Sequence, residues 1–251
     1  MRIIPAFRLL LAAIVTSFAL FSCNEKEEFT TEKLSEYMPL APGKYITYRL
    51  DSLVITNFNK VIETHRYQLK EQVDAVITDN LGRPSYRVYR YLRDSTGTGP
   101  WIPSGTYMVT VLEDQVEVLE DNLRTIKLHL PLKVDFAWSG NKYYPNRPYA
   151  GVYTFNNDIS IQDWQFTYDA LGESFSYGNK TYSDVVTVEQ MEEGNNIPVT
   201  LPGSYGYKTR SVEKYSKGIG QVYREYTLYD YQPGPNTYWG FGIKKWMIDH
   251  N

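Results

Sequence analysis

The residue types that most often carry chemistry are few in this chain. Histidine, the usual general base and metal ligand, occurs only at His65, His129 and His250, and none stands near another in the sequence. His129 falls on the polar side of an alternating segment, His250 is one residue from the end, and His65 follows Glu63 and Thr64. There is no HExxH pair, no cysteine or histidine spacing suited to zinc, and no glycine-flanked serine elbow. Gly172, Glu173 and Ser174 begin such an elbow, but Ser176 stands where its second glycine would be. Glu192 and Glu193 could serve glycoside hydrolysis only if both faced one bond. Neighbours on a strand point to opposite faces, and beside Gly194 these two read as solvated charges in a turn. The oxygens of Asn156, Asn157, Asp158 and Asp163 lack the spacing of a known calcium loop. No catalytic residue, metal or cofactor is therefore expected, and the chain reads as non-enzymatic.

Aromatic side chains are the one set that leans toward ligand binding. The chain has 23 Tyr, ten Phe and five Trp. Trp138, Tyr143, Tyr144, Tyr149, Tyr238 and Trp239 lie in or beside Gly- and Pro-rich stretches, where binding residues often sit. Together they could form a platform for a sugar face. The competing reading is that they fill a β core and pair across strands.

The remaining reactive group is a thiol. Residues 1–22 carry Arg2 and Arg8, no acid, and an apolar run from Leu9 to Phe21. That run is shorter than the roughly 20 residues needed to span a bilayer and reads as the core of a signal peptide. It ends in Leu20, Phe21, Ser22 and Cys23, which resembles the bacterial lipobox. Cys23 is the only cysteine, so no internal disulfide can form. After cleavage its thiol can take a diacylglyceryl group and further acyl chains such as palmitate, each buried CH₂ adding about 0.8 kcal/mol of membrane affinity. Residues 23–36 then read as a lipidated flexible tether. Within it Lys26, Glu27 and Glu28 resemble the signal that sends lipoproteins of the Bacteroidota to the outer face of the outer membrane.

The folded part, 37–251, is read as a single β domain. Removing the leader takes two of 26 basic residues and none of 29 acids, leaving 24 against 29. A mildly acidic chain without a basic cluster is a poor partner for nucleic acid. Alternation predicts a first strand over 44–56, with Ile46, Tyr48 and Leu50 on one face. Residues 61–78 could be one strand, two, or partly helical, being interrupted by Glu71 and Asp74. Ile126, Leu128 and Leu130 are expected to face in, and Thr125, Lys127 and His129 to face out. A loop is expected over 94–105, a long loop or edge over 138–157, and strands at intervals to Ile248. Some 10 to 12 strands with Gly, Pro and Asn turns imply an all-β fold. Its antiparallel curved sheet would form a half-barrel, barrel or sandwich.

Three segments carry a resemblance: YMPLAPGKYITYRLDS at 37–52, TYSDVVTV at 181–188 and YSKGIGQVYREY at 215–226. They resemble uncharacterised Bacteroidota surface lipoproteins. The resemblance implies a curved sheet, by analogy with lipoprotein carriers a half-barrel over an apolar groove, and brings no catalytic residues. Asp51–Leu53 and Asp94–Thr96 also resemble that phylum's O-glycosylation sequon, making Ser52 and Ser95 candidate sugar sites. The expectation is a cell-surface, outer-membrane lipoprotein held by its N-terminal lipid, with a binding or scaffolding domain and a glycan or protein partner. A glycan-binding module of an uptake system, a carrier of apolar ligands and an unrecognised hydrolase are the alternatives.

Overall fold

The computed structural model describes residues 32–153, 157–158 and 160–251. Cys23 and the Lys26–Glu28 signal lie outside the described residues. Among those described, twelve strands form one antiparallel sheet: β1 (Tyr45–Thr56), β2 (Val61–Thr78), β3 (Pro84–Asp94), β4 (Ile102–Val111), β5 (Gln115–Glu120), β6 (Leu123–His129), β7 (Ala137–Ser139), β8 (Gln165–Tyr177), β9 (Lys180–Asn195), β10 (Gly206–Ser216), β11 (Gly220–Gln232) and β12 (Thr237–His250). Their spatial order is β6-β5-β4-β3-β2-β1-β12-β11-β10-β9-β8-β7. Each half is therefore a meander of sequence neighbours, and the first and last strands pair in the middle. Residues 61–78 form one strand, with a bulge between Val73 and Ala75 that leaves Asp74 out of register. Glu192 and Glu193, expected in a turn, instead belong to β9, opposite Arg210 and Thr209. Ser174 lies inside β8, with no helix after it.

The sheet curls until its two edges nearly meet, which selects the barrel among the expected shapes. A full ladder between β6 and β7 is replaced by a stitched seam. Ile126 N–H donates to Gly140 O at 2.8 Å, Trp138 Nε1 donates to Ile126 O at 2.9 Å, and the Tyr168 hydroxyl accepts from His129 N–H and donates to His129 O. Covering edges in this way removes templates for aggregation. Gly140 is needed here because a side chain at that position would run into the Phe166 ring.

Twelve strands enclose a wide interior, and large side chains fill it. Tyr48, Phe166, Tyr168, Tyr215 and Leu228 are among its fully buried groups. The only helix longer than three residues among those described is α1 (Leu34–Tyr37). Leu34 and Tyr37 share one face at i,i+3, and both are buried. The packed domain thus begins ahead of the boundary expected at Tyr37, and the last residues of the expected tether belong to it. Gly218 N–H donates to Glu36 O at 2.7 Å, and Lys217 pairs with Glu36 at 3.1 Å. These contacts hold α1 across the end of the barrel where β1 starts. Among the described residues no helix is long and apolar enough to cross a membrane.

Candidate functional site

Seven charged side chains from seven strands meet inside the curled sheet: Glu71 on β2, Arg90 on β3, Glu120 on β5, Lys127 on β6, Glu213 on β10, Arg224 on β11 and Lys245 on β12. Strand alternation explains their placement. Glu71 shares its face with the buried Leu69 and Val73, so an acid stands in an apolar row. Thr125 and Lys127, expected to face out, instead face in and are buried. Thr125 pairs with the cavity-lining Val118 and Lys127 follows it by alternation, while a bulge at Lys127 brings Leu128 opposite the buried Val116.

The contacts form one connected network. Lys245 Nζ bonds Glu71 Oε1 at 2.9 Å, and the Tyr107 hydroxyl donates to Glu71 Oε2 at 3.1 Å. Arg90 bonds Glu120 and lies 3.4 Å from Glu71. Arg224 lies 3.2 Å from Glu213 and 3.9 Å from Glu120. Glu213 accepts from Lys127 Nζ at 2.7 Å and from the Tyr215 hydroxyl at 2.6 Å. The Lys127–Glu213 pair joins strands that are far apart in the sheet order, so it spans the interior and exists only because the sheet curls.

Buried charge is tolerated only when paired, and the titration of these groups follows from that. Burial alone would raise Glu213, but Lys127 and Arg224 outweigh it and hold the carboxyl at about 2. Burial would raise Glu120 too, but bonding to Arg90 holds it at about 2. Glu71 is also lowered, because Lys245 and Arg90 outweigh its burial. Burial pulls Lys127 down to about 8 in spite of Glu213. Burial pushes Tyr48, Tyr107 and Tyr215 well above the ordinary tyrosine value, so all three remain neutral. In the unfolded chain Glu120 and Glu213 take up protons near the ordinary 4.5, well before the native carboxylates do. Their contribution to stability is therefore whole above that pH and is lost as pH falls toward 2. An acid titration followed by near-UV circular dichroism is expected to show tertiary structure lost in that window. An unchanged spectrum at pH 2 would contradict it.

Beside the network lies a cavity of about 70 Å³, room for several waters, since one needs only about 10–15 Å³. Charges and tyrosines line one side, and Val73, Val88, Val109 and Val118 another. Toward the end of the barrel where α1 packs, the lining is Met38, Pro39, Leu40, Lys44, Tyr45, Ile46 and Ile219. Two of the segments that carry the family resemblance build this chamber. Residues 37–52 supply most of that end and Tyr48, while 215–226 supplies Tyr215, Gln221 and Arg224.

The six aromatics singled out in sequence do not assemble into one platform. Trp138 is buried, its ring centre 4.8 Å from that of Tyr168 and 5.9 Å from that of Phe166. The Tyr144 hydroxyl bonds Thr125, and that of Tyr149 bonds Tyr226. Tyr238 packs on Tyr229 and Tyr231, and Trp239 Nε1 donates to Thr237. Of the six, Tyr143 alone is exposed. The core takes up Trp138, Tyr144, Tyr149 and Trp239, because aromatic rings fill a wide interior well.

His65 Nε2 lies 3.2 Å from Glu63 Oε2, but both side chains stand nearly half exposed on β2. His129 Nδ1 lies 2.6 Å from Leu130 O. The buried Asp158 is paired with Arg147, and Asn157 donates to Lys208, Thr209 and Tyr229. No group of three or more His, Cys, Asp or Glu suited to a metal occurs among the described residues. Ser95 is exposed in the turn between β3 and β4. Ser52 is half-buried within β1, opposite His65 and Ile243.

These features define an antiparallel, nearly closed β-barrel with a charged chamber open toward one end. No protein-family model and no curated protein matches the chain. Among solved structures, a Bacteroides fragilis protein thought to be exported, described as having a YmcC-like fold, is similar at 10% identity over 84% of this chain and 96% of that one, with a TM-score of 0.34. A likeness that loose bears on neither the fold nor the function here.

Proposed function

We propose that the chain is a lipid-anchored lipoprotein on the outer face of a Bacteroidota-type outer membrane, and that its barrel is a non-catalytic receptacle for a small ligand. The chamber is the observation that supports the second half: a cavity whose lining joins apolar side chains to buried charges from strands far apart in the sequence. Pockets that are partly apolar with a few convergent polar groups are the usual ligand seats. Each carboxylate in the lining is committed to a cation, which favours holding over acid catalysis. The scattering of the aromatics makes a sugar platform the weaker reading. Ser95 remains a candidate for O-glycosylation.

The address is tested first. Full-length protein expressed in a bacterial host is expected to incorporate labelled palmitate and to partition with membranes, and Cys23→Ser to lose both. Equal partitioning of the two proteins would end the anchor proposal. The receptacle is tested by thermal shift of the full chain against a library of small amphiphiles. No stabilisation by any of them at millimolar concentration would count against it.

A further inference from the structure

The chamber's charges do not balance. Three carboxylates, Glu71, Glu120 and Glu213, face four cations, Arg90, Lys127, Arg224 and Lys245, and Lys44 adds a fifth where the lining reaches α1. A surplus of positive charge in such a space is costly unless something answers it. The Nε atoms of Arg90 and Arg224 are buried and make no hydrogen bond, although each lies within ion-pair distance of a carboxylate, 3.4 Å from Glu71 and 3.2 Å from Glu213. Both residues line the cavity. Buried donors left without an acceptor are uncommon in folded proteins and call for an explanation.

Resting on the receptacle reading, we propose that the chamber binds the head of a monocarboxylate amphiphile, such as a medium-chain fatty acid, with its apolar tail along the lining toward α1. A single carboxylate answers part of that surplus, and its oxygens can accept from the cations that line the cavity. A cavity of about 70 Å³ seats a head group, while Met38, Leu40, Ile46 and Ile219 offer the tail an apolar path outward. Cationic ligands would add to the surplus.

The test is calorimetric titration of the full chain with sodium octanoate, 1-octanol and octylamine, which share one tail and differ in head charge. Octanoate is expected to bind at least about tenfold more tightly than octanol, and octylamine not at all. Ile46→Ala should weaken octanoate and octanol alike. Lys127→Gln, if its near-UV spectrum is native, should weaken octanoate by about tenfold and leave octanol unchanged. Equal affinity for octanoate and octanol would overturn the carboxylate assignment while leaving the receptacle standing. Failure of all three ligands to bind would remove both.

Discussion

Glu213→Ala is expected to lower the free energy of unfolding by about 3–5 kcal/mol, the usual cost of stranding one side of a buried ion pair. The side chain of Glu213 has no solvent exposure, and it answers Lys127, Arg224 and the Tyr215 hydroxyl together. Its removal leaves two cations facing each other in a space that water reaches only through the cavity. The double variant Lys127→Met, Glu213→Leu should recover part of the loss, because it removes the stranded Lys127 cation while Arg224 and the Tyr215 hydroxyl remain without Glu213. Urea denaturation of the wild type and the two variants measures this directly. A loss below about 1 kcal/mol for the single variant is the scale of a surface pair and would mean that the network is hydrated.

Trp138→Ala carries the second large effect, a loss of about 3–5 kcal/mol as for other buried aromatic truncations. Trp138 stitches the seam through its bond to Ile126 O and packs on Phe136, Phe166 and Tyr168. Its removal opens a void and also frees one edge of the sheet, so the variant should aggregate more readily on heating. Trp239→Ala, at a half-buried position on β12, should cost less. Chemical denaturation compares the two. A Trp138 variant as stable as the wild type would contradict the closed seam and reopen the aromatic platform.

Local features of the chain were legible because they depend on near neighbours. Alternation in 44–56 and 124–130 marks β1 and β6. Glu71 was visible as an acid between Leu69 and Val73, yet taken by itself it reads as a break in a strand. The 61–78 segment is one strand because Glu71 finds Lys245, which is 174 residues away. Thr125 and Lys127 read as outward because Ile126 and Leu128 beside them are apolar, yet all four are buried, so hydrophobicity alone does not tell the two faces of β6 apart. The aromatics were placed near loops by their Gly and Pro neighbours, and distance along the chain says little about depth in a curled sheet.

By itself, then, the chain determined its strands and its turns, which depend on short-range patterning and local chemistry. Only the tertiary structure decided that the sheet closes, that four cations and three acids meet inside it, and that a cavity opens beside them. The reason is physical: strand period tells which residues share a face, but whether that face looks into a lumen or onto solvent depends on how far the whole sheet twists and bends.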